Sequence, residues 1–211
     1  VDRIISRQSA NGAIGLWREG DRLVDPSLSA YLVDFLVTAE LSGFYLPEGS
    51  VARAYSWSYE LTQKSDLTNS KKLYVLSELV KAIAPHTKRT VRLARSLADQ
   101  SLAADPPTVN LLTLSNLAVA LRRFEDNERA DDLVNQINKT KVDLNNLSTS
   151  GYYDTKTSRQ AKLAENLFYL KDVNALEVWE KARKQYNNAY GNVHEMGSML
   201  RAKVAQASLK P

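Results

Sequence analysis

Three segments of this chain carry apolar side chains around most of a helical circumference, and they constrain the fold more than any other feature. They are LSAYLVDFLVTAEL (28–41), TVNLLTLSNLAVAL (108–121) and QAKLAENLFYL (160–170). A helix that is apolar on several sides is typical of one that is buried on several sides. We therefore predict three inner helices, each with neighbours on both flanks.

Other segments carry a single apolar stripe, which predicts outer helices with one side in water. The stripes comprise Leu73, Leu76, Leu79, Val80 and Ile83; Ala130, Leu133, Val134 and Ile137; and Ala175, Leu176, Trp179, Ala182 and Tyr186. Short breaks rich in glycine, proline and Asp-Asn separate the segments, and short connections favour antiparallel neighbours. The sequence thus predicts an all-α protein of helical hairpins, with inner and outer helices closing into a ring rather than an open solenoid.

The composition narrows the class of protein. A chain of 211 residues is long enough for one substantial core, so we expect a single domain over 1–211. The absence of cysteine excludes disulfides, thiolate metal sites and a cysteine nucleophile within this chain. No apolar run approaches the ~20 residues that span a bilayer, so we expect no membrane insertion by this chain. The first residue is Val1, and we expect a soluble piece of a larger protein.

The charges do not form a nucleic-acid footprint. The 28 basic and 24 acidic residues are scattered along the chain. The densest basic stretch, 88–95, spreads its charges around a helix rather than along one face, as a solvated helix does. We therefore expect no nucleic acid among the partners.

A loop with glycine and tryptophan, NGAIGLW (11–17), lies shortly before the most apolar helix, which belongs to DPSLSAYLVDFLVTAELSGFYLP (25–47). This order of residues resembles the thioester-type domain of the bacterial α2-macroglobulins, within the α2-macroglobulin and complement superfamily. The residues that carry the resemblance are Gly15, Trp17, Leu28, Ser29, Ala30, Tyr31, Asp34, Phe35, Leu36, Gly43, Tyr45 and Pro47. Glu195 matches an acid that the family tends to keep at the start of its last inner helix.

The resemblance implies an α/α toroid of which this chain forms the later part, with the first hairpins missing. The loop is then the crossing from an outer helix, Asp2 to Gln8, to an inner helix. Gly12 and Gly15 would supply backbone freedom for the turn, and Trp17 would plug the end of the core. Asp34 falls within the apolar helix, where a buried acid needs a hydrogen bond or an ion pair. The resemblance suggests that Asp34 links helices structurally.

Some positions depart from the family pattern. Ala13 and Ile14 stand where the family has glycine and phenylalanine, and Ser27 stands where a tryptophan is common. The reactive thioester of the family is formed by a Cys-x-Glu-Gln motif, and this chain has no cysteine. The covalent chemistry therefore cannot reside in these residues.

The function that the resemblance implies is a non-enzymatic scaffold without cofactors, within a protein that traps attacking proteases. Its partners would be the other domains of the parent protein and the target proteases. Its location would be the periplasm, with the parent protein either free there or tethered to the inner membrane. Two alternatives stay open: a helical scaffold that binds other proteins, and a toroid enzyme such as a terpenoid cyclase or a helical-barrel glycosidase. The second would need Asp-rich motifs or paired acids on inner-helix ends, and neither is visible in the sequence.

The candidate site residues are few. His86 and His194 have no spacing that suggests a shared metal, and His194-Glu195 does not continue into HExxH. We therefore predict no catalytic, metal or cofactor site, and a structural role for Glu195 in the first turn of its helix. Tyr55, Trp57 and Tyr59 alternate on a predicted helix over 49–62, so they cannot all face the core. These three aromatic residues are the candidate interaction surface.

Overall fold

The computed structural model describes residues 1–15, 18–21, 25–83, 88–103, 110–140, 155–186 and 193–209. These ranges contain ten helices and no β-strand, so the all-α prediction is confirmed. The helices are α1 (Asp2–Ile5), α2 (Pro26–Leu41), α3 (Ser50–Lys64), α4 (Asn69–Ile83), α5 (Lys88–Ala103), α6 (Leu111–Arg123), α7 (Asn127–Lys139), α8 (Lys156–Tyr169), α9 (Ala175–Tyr186) and α10 (Val193–Ala207). The chain divides into two compact units, 1–94 and 95–211. The single domain and the closed toroid stay predictions.

Helix α2 of the first unit begins where the sequence indicates. The Asp25 side chain accepts a hydrogen bond from the backbone N–H of Leu28 at 2.9 Å, and Pro26 occupies the first helical position. The helix ends at Leu41, and Gly43 follows with a φ of +84°. Helix α2 packs against both α3 and α4, and α3 also contacts α4. These three helices form the core of the first unit.

The glycine-rich loop before α2 docks onto α3. Its ends are held by an antiparallel bridge between Gln8 and Ile14, and the Gln8 side chain donates a 2.9 Å hydrogen bond to the carbonyl of Ser50. Gly12 has a φ of +96°, and a Cβ there would lie 2.2 Å from the Arg53 carbonyl oxygen. Both backbone conformation and space therefore require glycine at this position.

The structure corrects the predicted extent of α1 and the predicted burial of α4 in the first unit. The helix predicted from Asp2 to Gln8 ends at Ile5, because Gln8 already belongs to the bridge. Helix α4 was expected to bury one stripe, yet it is buried on most of its circumference, and even Ser77 and Lys81 are buried. The apolar positions predicted the side of α4 that faces the core. They did not reveal that the small side chain of Ser77 and the aliphatic part of Lys81 are buried as well.

Three helices of the second unit run parallel. Asn166 of α8 bonds Asn116 of α6, and Arg123 lies over the Tyr169 ring, so the carboxyl ends of α6 and α8 lie together. The same holds for α8 and α10, because Arg201 bonds Glu165 and their last residues line one shared pocket. Helices α7 and α9 return the chain between them, α7 packing on α6 and α9 on α8. The second unit is thus a series of hairpins with α8 at its centre.

The predicted inner helices α6 and α8 are confirmed as buried. Every residue from Leu111 to Leu121 is buried, and α8 buries most of its residues. The predicted stripe on α7 is confirmed at Ala130, Leu133 and Ile137. On α9, Leu176 is wrongly assigned to the core: it is 55% exposed, and Val178 takes its place.

The two hairpins of the second unit turn with the same backbone device. Glu125 and Lys171 have φ values of +61° and +56°, and each is followed by an aspartate. The N–H groups of Asp126 and Asp172 then donate back to the carbonyls of Leu121 and Leu167, at 3.0 and 2.9 Å. This closing bond satisfies carbonyls that a helix end otherwise leaves without a partner.

Candidate functional site

Buried amides and hydroxyls join the two central helices of the second unit. The Asn166 side chain of α8 donates to the Ser115 hydroxyl at 2.9 Å and to the Asn116 side-chain oxygen at 2.8 Å. All three residues are buried. Because a buried polar group that loses its partner is costly, these bonds fix the register of α6 against α8.

Buried charges lie at the amino ends of α8 and α10. Arg159 is 1% exposed and Glu195 is 5% exposed. Further along, Arg201 donates to Glu165 at 2.9 Å, which pairs residues 36 apart on these parallel helices. The same separation relates Arg159 to Glu195, so the register places them level with each other. Both side chains are engaged in interactions within the fold.

The residues of the predicted family motif are distributed over α2 and its flanks. Ala30 is buried, whereas Leu28, Tyr31 and Phe35 are half-buried. Gly15 is buried and has no positive φ; its need for glycine is steric, because a Cβ would lie 1.8 Å from the Arg18 carbonyl oxygen. Backbone freedom was therefore the wrong reason for glycine at this position. Trp17 lies outside the described residues.

Two other motif residues are at the surface. Tyr45 is 85% exposed and Pro47 is exposed, in the turn that follows α2. Asp34 is half-buried, so the expectation of a buried acid in α2 is wrong. The buried face of α2 is centred on Val33, and the next residue along a helix points about 100° away. Asp34 is engaged in an interaction, and its structural linking role stays a prediction.

His194 and Glu195 belong to no cluster of possible metal ligands in the described part of the chain. There, no three His, Cys, Asp or Glu side chains come together as metal ligands. His194 is half-buried, and its carbonyl accepts a 3.0 Å hydrogen bond from the Ser198 hydroxyl. His86 lies outside the described residues. Within the described ranges, no helix combines the length and apolar character needed to cross a membrane.

Two of the three residues of the predicted aromatic surface, Tyr55 and Tyr59, line a cleft. Tyr55 and Tyr59, one turn apart on α3, stack with ring centroids 6.5 Å apart and planes inclined by 23°. The Arg89 guanidinium of α5 lies 5.7 Å from the centroid of the Tyr59 ring. Trp57 does not line this cleft, because the alternation that suggested the surface turns it to another side of α3. Arg89 was missed in the sequence, where it belongs to a basic stretch without distinguishing features.

The environment of the cleft raises the pKa of Tyr55. Burial is the largest cause, since it disfavours the charged phenolate. The hydrogen bond with the Thr90 side chain lowers the pKa, the neighbouring Tyr59 raises it, and the positive charge of Arg89 lowers it. The phenol of Tyr55 therefore stays neutral to a higher pH than an ordinary tyrosine.

This pKa shift predicts a loss of stability in alkali. Below the unfolded-state pKa of about 10 the phenol is neutral in both states and has no effect. As the pH rises through the folded-state pKa, the unfolded chain releases its proton more readily, and the folded state loses stability. We expect Tyr55→Phe to reduce the alkaline fall in urea midpoint, and to remove a late step from the 295 nm absorbance titration. The exposed-site variant Tyr45→Phe should leave both unchanged; a late step that persists without Tyr55 would contradict the assignment.

An exposed apolar stripe runs along α10, at the edge of the parallel helices. It consists of Met196, Leu200 and Val204, which are spaced by four residues and are each more than half exposed. The opposite side of the helix, with Ser198, Met199 and Ala202, is buried. An apolar row of this length on one side of a helix is typical of a surface that packs against another element.

The ten helices of the described residues define the class of this protein as an all-α protein of helical hairpins. No family model matches the chain, and no curated protein matches it. Solved structures do match. The chain is similar to Escherichia coli α2-macroglobulin in a crystal structure from domain MG7 to the C-terminus, with a TM-score of 0.78 and 19% identity over 99% of this chain and 34% of that one.

Two further structures show the same likeness. Salmonella α2-macroglobulin reacted with methylamine matches 96% of this chain and 14% of its own, with a TM-score of 0.75 and 19% identity. Escherichia coli α2-macroglobulin activated by porcine elastase matches 97% of this chain and 19% of its own, with a TM-score of 0.76 and 20% identity. The chain thus has the fold of a helical part of bacterial α2-macroglobulins and spans about a third or less of their length. The resemblance carried by Gly15 to Pro47 is confirmed at the level of the fold.

Proposed function

We propose that this chain is a scaffold part of the toroid domain of a bacterial α2-macroglobulin-like protein, which traps attacking proteases of broad specificity. The observation that carries the proposal is the fold, which matches Escherichia coli α2-macroglobulin over 99% of this chain. One of the similar structures is of a protein activated by porcine elastase, and another is of a protein reacted with methylamine. The sequence motif from Gly15 to Pro47 supports the same family independently.

The proposed role of the chain is mechanical and not enzymatic. The parent protein would be cut by a protease and would then enclose it, and this chain would keep its shape while other domains move. Buried polar contacts such as Asn166 with Asn116 support this role, because they favour one packing over others. A thioester cannot be formed by these residues, since the chain has no cysteine. We also propose a periplasmic location for the parent protein, either free there or tethered to the inner membrane.

The apolar stripe on α10 supports a partner within the parent protein. It also supports the alternative function, a helical scaffold that binds other proteins without trapping proteases. Neither function needs a cofactor. The two differ in what happens after proteolysis: a trap retains the active protease, whereas a simple scaffold does not.

The deciding experiment uses the intact parent protein. We would incubate it with trypsin, then measure trypsin activity on a small chromogenic amide and on a large protein substrate such as casein. If the parent is a trap, trypsin loses its activity on casein and keeps its activity on the small amide, because the enclosed protease stays active but large substrates are excluded. Equal activity on both substrates would overturn the proposal and favour the binding scaffold. Titration of free thiol before and after methylamine would then show whether the parent carries a thioester elsewhere in its chain.

A further inference from the structure

A cleft between α3 and the first turns of α5 has the composition of a carboxylate-binding site. Its volume is about 240 Å³, and its lining residues are Tyr55, Ser56, Tyr59, Glu60, Arg89 and Leu93. All of them belong to the first unit. The cleft is large enough for one side chain of a partner and too small for a folded element.

The positive charge of the cleft is available to a ligand. Arg89 is exposed, and no described side chain forms a salt bridge with it. Its guanidinium lies 5.7 Å from the centroid of the Tyr59 ring. A guanidinium carries five N–H donors in a fork, and two of them can donate parallel bonds to a carboxylate. The acidic lining residue, Glu60, is bonded to Lys64 at 3.0 Å and so is already paired.

The walls of the cleft select an anion that carries an apolar stem. The stacked Tyr55 and Tyr59 rings and the Leu93 side chain offer apolar surface, while the Ser56 hydroxyl offers a further donor. A bare inorganic anion would reach Arg89 but would leave the rings in contact with water. The two methylene groups of a glutamate side chain would cover them, since each buried methylene contributes about 0.8 kcal/mol.

We propose that this cleft binds the glutamate side chain of an acidic peptide segment in a protein partner. Its carboxylate accepts hydrogen bonds from Arg89 while its methylene groups pack between the tyrosine rings and Leu93. The contact is a recognition site on the first unit, and it stands whether or not the parent protein traps proteases.

The test is a titration of the full 211-residue chain, labelled with ¹⁵N and observed through the backbone amide resonances of α3 and α5 in every variant, and through the Arg89 Nε–H resonance wherever Arg89 is present. The probe is the capped peptide Ala-Ala-Glu-Ala-Ala, with its glutamine analogue and inorganic phosphate as comparators. We expect the glutamate peptide to bind at least tenfold more tightly than either comparator. Arg89→Gln should weaken binding at least tenfold, with an amide spectrum that shows the chain still folded. Tyr59→Leu should weaken binding severalfold, because it removes one aromatic wall of the cleft and the cation–π contact with Arg89.

The matched control is Arg92→Gln, which removes the same charge one turn along α5 and outside the cleft. It should change the affinity less than threefold. An equal loss in both arginine variants would overturn the proposal in favour of diffuse charge attraction. Phosphate that binds as tightly as the glutamate peptide would overturn it in favour of a simple anion site. Absence of any shift at Arg89 with the peptide at high millimolar concentration would overturn it outright.

Discussion

Arg159→Gln is expected to lower the free energy of unfolding of the second unit by about 3–5 kcal/mol, because it removes a charge that is almost fully buried and engaged within the fold, and leaves its partners buried without it. The basis is the near-complete burial of Arg159 and Glu195, together with the helix register that places them level. The measurement is a urea titration followed by the fluorescence of the buried Trp179, in a background where Trp17 and Trp57 are phenylalanine.

The chain supplies its own control for this prediction. Arg201 and Glu165 join the same two helices with the same separation, but the Arg201 side chain is 36% exposed. Arg201→Gln should therefore cost only about 1 kcal/mol or less. If Arg159 and Glu195 bond each other, the double variant Arg159→Met with Glu195→Leu should recover most of the stability lost in Arg159→Gln, since an apolar pair can replace a buried ion pair. Additive losses in the double variant would show that the two residues do not share one interaction.

Gly12→Ala is expected to cost about 3 kcal/mol in the attachment of the loop 9–15 to α3. About 1 kcal/mol comes from the positive φ and the rest from overpacking, because the added Cβ would meet the Arg53 carbonyl oxygen at 2.2 Å. Backbone cannot move aside as a flexible side chain would. The loop is expected to detach locally. Amide hydrogen exchange of Ser9, whose N–H bonds the Ala13 carbonyl, measures this detachment.

Gly20→Ala separates the two contributions. Gly20 has a φ of +77°, and a Cβ there would meet nothing within 4 Å. This variant should cost only the conformational term of about 1 kcal/mol. If both variants accelerate exchange at Ser9 equally, the close approach of the loop to α3 does not hold it in place.

Apolar periodicity predicted the helices of this chain because buried positions are occupied mostly by apolar residues. The segments 108–121 and 160–170 were identified as buried since nearly every position tolerates an apolar environment, and Asp25-Pro26 located a helix start through its capping chemistry. The burial of Lys81 and Ser77 could not be predicted in this way, because both residues are polar. Their burial depends on which neighbours cover them, and a single sequence does not contain that information.

The site residues show the same division. Tyr55 and Tyr59 could be predicted as a surface because their spacing on one helix is fixed by its geometry. Arg89 could not, because its approach to Tyr59 joins two helices whose packing no local pattern encodes. Arg159 was missed for another reason: the apolar segment begins at Gln160, whereas Thr155 caps the helix five residues earlier by accepting a 3.1 Å bond from the Ser158 N–H. The boundary error placed a buried charge outside the predicted core.

The apolar stripe on α10 contains one of the two methionines of the chain, and the other lies on the buried side of the same helix. Met196 is 54% exposed and Met199 is 8% exposed. Oxidation to the sulfoxide follows access to the sulfur and makes an apolar side chain polar. Mild peroxide should therefore oxidise Met196 before Met199 in the free chain, so that Met199 is a reference within the same helix. Protection of Met196 in the parent protein would show that the stripe is covered there.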